Sequence, residues 1–201
     1  MGLLLLALLF GVGALALVTG LRGPNPVRGN QALSDARADA QRWYERLGGQ
    51  LMTLQSDEPA ARQALADAAE RYHAAGGQLD RADSIVQFAL ARETALEGLA
   101  YVRAARTAMG LEPGPEIPAP AMTAEAGTVE GNHSVVIQGR TYQAGPYATE
   151  QTPYYYPGDR QVPAGWYSTP WWKTALGAGA GALGGMMIFD ALFGHRGPGP
   201  F

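Results

Sequence analysis

The stretch Ser34-Asp-Ala-Arg-Ala-Asp-Ala-Gln-Arg-Trp-Tyr-Glu-Arg-Leu-Gly-Gly-Gln-Leu-Met-Thr-Leu54 decides the fold class. Within it Ala36, Ala40, Trp43, Leu47, Leu51 and Leu54 recur at intervals of three and four, which places them on one stripe of an α-helix. Ser34 can cap an open backbone N–H at its start, although Arg37 in place of Glu or Gln denies it a capping box. Gly48-Gly49 weakens the middle. A second stripe follows: Asp57 and Pro59 suit a helix start, and Ala61, Leu65, Ala68, Tyr72 and Ala75 carry it to Gly76-Gly77, where it is expected to stop. Asp67 and Arg71, four apart, support its outer face. A third stretch from Ala82 to Met109 turns Ile85, Phe88, Ala95, Leu99, Val102 and Met109 inward. Arg92 interrupts that stripe, which leaves one long helix and two shorter ones both open. Gly110 and the prolines after it end the pattern. Residues 34–110 therefore predict three antiparallel helices with Trp43, Tyr72 and Phe88 as the bulky core residues.

Beyond the helices, residues 111–132 read as a proline-rich linker, extended and exposed. Within residues 133–144, His133–Gln138 and Thr141–Ala144 flank Gly139-Arg140, a two-residue turn suited to a β-hairpin with Val135 and Ile137 on one face. Residues 145–173 hold Tyr154-Tyr155-Tyr156, Pro157-Gly158 and Pro163 with no period a core could use, so they read as a disordered aromatic tether.

The two ends are apolar. Gly2 to Leu21 runs without a charged side chain, and about 20 helical residues cover the roughly 30 Å hydrocarbon core of a bilayer. A cleaved signal peptide is the rival reading, with Ala14-Leu15-Ala16 as the cleavage site. Against it, no Lys or Arg precedes the run and the apolar character continues through Leu17 and Val18. Arg22 and Arg28 follow the segment, so the positive-inside rule places the helical domain in the cytoplasm. Residues 174–193 give a second expected transmembrane helix, with a flexible Gly/Ala linker ending in a short apolar patch as the alternative. Trp166, Tyr167, Trp171, Trp172 and Lys173 precede it as a membrane-interface belt. Gly177, Gly181 and Gly185 line one face, where a second helix, of this chain or of another copy, can approach closely. Gly179, Gly181 and Gly184 match G-x-G-x-x-G, but an aromatic, proline-containing run precedes them instead of a strand and no βαβ unit follows, which rejects a dinucleotide site. Asp190 lies toward the far end of the segment and reads as an interfacial anchor before it reads as an ion relay.

Composition narrows the chemistry. The chain has 201 residues, 15 basic and 18 acidic side chains, charged residues at 16%, 27 glycines, 14 prolines and no cysteine. Thiolate catalysis, disulfides and thiolate metal sites are excluded, and the near-neutral balance lacks the footprint of a nucleic-acid binder. His73, His133 and His195 share no motif with a carboxylate at ligand or acid–base spacing. Ser34, Ser56, Ser84, Ser134 and Ser168 lack a nucleophile elbow. Asp57-Glu58 reads as helix-start charge, Glu93 and Glu97 as a solvated face, and Asn132-His133-Ser134 as a chance glycosylation triplet. No catalytic residue, cofactor or metal is expected.

The phrases Glu93-Thr-Ala-Leu-Glu-Gly-Leu-Ala-Tyr-Val-Arg-Ala-Ala-Arg-Thr-Ala-Met-Gly110, Tyr154-Tyr-Tyr-Pro-Gly158 and Val162-Pro-Ala-Gly-Trp-Tyr-Ser-Thr-Pro-Trp-Trp-Lys173 resemble those of an uncharacterised family of actinobacterial membrane proteins. The resemblance covers roughly residues 34 to 193. It implies a membrane location and brings no activity with it. Fourteen arginines against one lysine suit a GC-rich genome of that kind. The expectation is mainly α: a small helical bundle between two transmembrane helices, with a short β-hairpin and a disordered Pro/Gly/Tyr-rich linker. Such a protein acts as a non-enzymatic scaffold or adaptor in the cell membrane. The alternatives are an exported, signal-processed envelope-binding protein and an oligomeric transporter subunit.

Overall fold

The computed structural model describes residues 26–118, 126–159, 162–175, 188 and 190–194. The apolar segment 2–21, the glycines at 177, 181 and 185, and His195 lie outside them. Among the described residues no helix is long and apolar enough to cross a membrane. The chain is mainly helical with a small antiparallel sheet: α1 (Pro26–Thr53), α2 (Pro59–Arg81) and α3 (Ile85–Ala108), then β1 (His133–Ile137), β2 (Arg140–Gly145), β3 (Tyr154–Tyr156), β4 (Gly165–Tyr167) and α4 (Trp171–Ala175).

The helices start where local chemistry offers caps. Glu58 takes the N–H of Ala61 and Pro59 fills the first helical position of α2. Ser84 accepts from the Gln87 N–H at 3.4 Å, while Gln87 reaches back to the Asp83 N–H at 2.7 Å. Helix α1 begins eight residues before Ser34, whose hydroxyl instead bonds the Gln31 carbonyl at 2.8 Å inside the helix. Helix α3 runs unbroken through Arg92, which reaches out to Asp39 at 2.8 Å and lies over the Trp43 ring. Its end is as expected, with Gly110 at φ +72°.

Glycine does not stop α2 at Gly76-Gly77, nor interrupt α1 at Gly48-Gly49. Tyr44 on α1 and Tyr72 on α2 stack with ring centroids 4.5 Å apart and nearly parallel. Gly48 lies under the Tyr72 ring, where an added Cβ would stand 2.8 Å from Cε2, and Gly76 lies under the Tyr44 ring, where it would stand 3.1 Å from the hydroxyl. The same logic holds at Gly98 of α3, which receives Leu47. These glycines serve close approach, and the surrounding helix overrides their weak propensity. Of the bulky residues expected in the core, Phe88 is buried, whereas Trp43 and Tyr72 are half-buried, and Leu47, Leu96, Leu99, Tyr101 and Val102 take the centre. Helix α3 is buried on several sides because it packs on both other helices and on the sheet.

The expected tether is the largest departure. The strands run in the order β1-β2-β4-β3, all pairs antiparallel, so residues 145–173 supply half of a four-stranded sheet and a short helix. The hairpin turn sits one residue earlier than expected: Ile137 pairs with Arg140, and Gln138 and Gly139 carry positive φ of 51° and 76°. One sheet face, bearing Tyr155 and Trp166, lies on α2 and α3, where Trp166 meets Ala60, Ala61, Ala64, Ala104 and Ala105. The other, bearing Tyr154, Tyr156 and Tyr167, is covered by Trp171, Trp172, Ile188, Leu192 and Phe193. The first part of the expected linker, residues 111–118, lies along α3, since Arg103 donates to the carbonyls of Gly114 and Pro115 and Arg106 to that of Glu112, while Ile117 packs on the bundle core.

Most of the expected second span, residues 174–193, lies outside the described residues; of its described part, Ile188, Leu192 and Phe193 share a cluster with Trp171 and Trp172.

The glycine contacts set a paired expectation for unfolding in urea. Gly98→Ala inserts a methyl against Leu47 and the Arg71 Cβ and should cost about 1–3 kcal/mol. Gly49→Ala meets nothing within 4 Å and should stabilise by about 0.5–1 kcal/mol.

Candidate functional site

The polar feature that stands out from this apolar packing lies on α2, beside α3, where the Lys173 side chain of α4 reaches in. Asp67 sits in the middle of α2 with only 2% of its surface exposed. One carboxylate oxygen, Oδ1, receives the Lys173 ammonium from α4, 106 residues further along the chain, and the Gln63 amide at 3.3 Å. The other, Oδ2, is buried and without a hydrogen-bond partner among the described residues. One turn on, Arg71 pairs with Glu97 of α3 at 3.3 Å, and the Tyr101 ring lies beside them in the core.

Burial dominates the electrostatics of this cluster. It pushes the Asp67 carboxyl above the ordinary carboxylate range, with Lys173 pulling the other way without cancelling it. Glu97 is raised by burial against the pull of Arg71. The Tyr101 and Tyr156 phenols are pushed up, chiefly by burial, and the Tyr155 phenol rises to about 12 for the same reason. Tyr156 also donates to Asp159 Oδ2 at 2.8 Å, and Asp159 Oδ1 accepts from the Val162 N–H at 2.7 Å, which closes the loop between β3 and β4. Tyr167 ties the far layer down by donating to the Pro163 carbonyl at 2.7 Å. All these tyrosines stay protonated at neutral pH, so they act as packing surfaces and hydrogen-bond donors.

The arrangement corrects several expectations. Trp166 and Tyr167, placed by sequence in a membrane-interface belt, are 3% and 1% exposed inside the protein. An indole packed on five alanines has no face left for headgroups. Trp172 is buried, Trp171 half-buried, and Lys173 is engaged with Asp67. Asp190 is exposed, and its backbone carbonyl accepts from the Gly194 N–H at 2.7 Å. Glu97 belongs to a half-buried ion pair and not to a solvated face. His73 is exposed against the edge of Tyr72, and the half-buried His133 lies 5.0 Å from Phe193. Among the described residues no three His, Asp or Glu side chains converge as metal ligands.

Sequence reasoning read Asp67 as half of an exposed i,i+4 pair with Arg71. Its signal was there, since position 67 adjoins Ala68 on the apolar stripe and has Ala60, Ala61 and Ala64 one and two turns before it. Its partner Lys173, the chain's single lysine, lies too far away in sequence for any local pattern to connect them. Comparison with family models, with characterised proteins and with solved structures gives no match.

The pair predicts a pH-dependent defect. Lys173→Met strips the buried carboxylate of its counter-charge and should cost about 2–4 kcal/mol at neutral pH, somewhat less than the roughly 3–5 kcal/mol of a fully buried pair because the lysine is a third exposed. A carboxyl raised on folding binds its proton more tightly in the native state than in the unfolded chain, so its contribution to stability falls as pH rises through that gap. Losing Lys173 widens the gap. The deficit of the variant should therefore shrink on acidification from pH 7 toward pH 5, as read from urea midpoints.

Proposed function

We propose that the protein is a membrane-anchored scaffold or adaptor with no catalytic chemistry of its own. The observation that carries this reading is the uncharged run Gly2–Leu21, which is long enough to span a bilayer and stands four residues ahead of a folded helical domain. The first described turns of α1, Gly29 to Ala32, are exposed and precede the first residue packed on the bundle, Leu33. The structural weight of the buried groups points the same way: Asp67, Glu97 and the core tyrosines are committed to joining helices and sheet. Arg22 and Arg28 favour a cytoplasmic domain. The resemblance to actinobacterial membrane proteins fits this placement.

A rigid surface displayed at a bilayer is what an adaptor requires, and its partner binds the outside of the helices or sheet. The full chain should remain with the membrane pellet after alkaline carbonate extraction, while a chain lacking residues 2–21 should be released and still show a cooperative helical melt. N-terminal sequencing of the mature chain supplies the opposing result, because a start beyond residue 16 would make it an exported, processed protein.

A further inference from the structure

The end of the bundle at which α1 enters carries aliphatic side chains that stand exposed among the described residues. Ile85, Val86 and Leu90 on the first turns of α3 are 47%, 70% and 57% exposed. Beneath them Phe88, Ala91 and Ala40 form a small core with Leu33, Ala36, Leu79 and Ala82. That core fixes the level of the patch: the α2–α3 corner lies alongside the first half of α1, at the end of the bundle where α1 begins. Four residues, Arg22 to Asn25, separate Leu21 from Pro26, and they reach at most about 14 Å when extended. Pro24 and Pro26 each disfavour helix at the residue before them, so the sequence favours a bend there over a single straight rod.

We propose that this corner is a bilayer-contacting surface, with Ile85, Val86 and Leu90 seated at the boundary of headgroups and acyl chains. The proposal rests on the membrane anchor argued above. The charges around the patch identify the part of the lipid that is recognised. Asp80 and Asp83 flank it with Arg81 between them, and Arg92, two residues beyond Leu90, is engaged by Asp39 and Glu93, so attraction to anionic headgroups does not drive the contact and apolar burial does. Beside Leu90, a dimple of about 160 Å³ is rimmed by Gln78, Arg81, Ala82 and Gln87. Aliphatic tips with amide and guanidinium groups behind them match the polarity gradient of an interface. With the first segment across the bilayer and the corner on its surface, the domain is held at two points and presents a fixed outer face.

The chain has no cysteine, so single labelling sites test the contact directly. Leu90→Cys and Val86→Cys in the full chain, each carrying an environment-sensitive fluorophore, are reconstituted in phosphatidylcholine vesicles. Met52→Cys, at the opposite end of α1 and 82% exposed, is the reference. Lipids brominated near the headgroup should quench both corner probes about threefold more than the reference, and added phosphatidylglycerol should not change the ratio. Equal quenching in protein that floats with the vesicles overturns the contact while the anchor stands. Protein that fails to float overturns the anchor and the contact together. Corner probes shielded from both lipid and aqueous quenchers would assign the patch to a second copy of the chain, and the proposal falls.

Discussion

Close approach of backbones is the constraint from which the rest of this structure follows. Helices α2 and α3 meet through Ala60, Ala61, Ala64, Ala68, Ala91, Ala95, Ala104 and Ala105, with Gly98 admitting Leu47 and the Gly48 and Gly76 positions admitting a stacked pair of tyrosine rings. Small residues let the helices come near, but each alanine removes little apolar area from water. The bundle is thin for that reason. The sheet makes up the difference: Tyr155 and Trp166 fill the groove the alanines leave, and Tyr101 and Tyr155 meet edge to face at 5.8 Å. A second aromatic layer of Tyr154, Tyr156, Tyr167, Trp171 and Trp172 then closes the other side of the sheet. Helices and strands thus share their packing, with aromatic side chains of the sheet laid against the helical core.

The helices were largely legible because their stripes face water on one side. Ala40, Leu47, Ala61, Ala68, Ala75, Phe88, Ala95, Leu99 and Val102 are buried where periodicity put them. Sequence reasoning misplaced the ends because caps and glycines have two uses. Gly110 ends a helix at positive φ, whereas Gly76 continues one beneath a ring, and only the neighbouring helix distinguishes them. The sheet was illegible beyond its hairpin for a different reason. Strands covered on both faces show no alternation of polar and apolar residues, and Tyr154-Tyr155-Tyr156 and Gly165-Trp166-Tyr167 are such strands. Aromatic residues beside prolines suggested a bilayer interface, when the interface they serve lies inside the protein.

Asp67 and Lys173 show what a thin core does with charge. A carboxylate buried to this extent gains little net stability from its partner, since desolvation offsets attraction. What it gains is selectivity: of the three carboxylates on α2, the buried Asp67 is the one that the α4 ammonium meets. Glu97 and Arg71 repeat the device between α2 and α3. These pairs set register in a structure whose alanine interfaces would tolerate sliding.

The long chain separation across the Asp67 contact also dictates an order of events at the ribosome. All three helices have left the exit tunnel well before Trp166 and Lys173 are synthesised, so the alanine groove and the Asp67 carboxylate spend that interval uncovered. The seam stays open to water until the sheet and α4 have been made, so translation speed through residues 109–165 governs how long it waits.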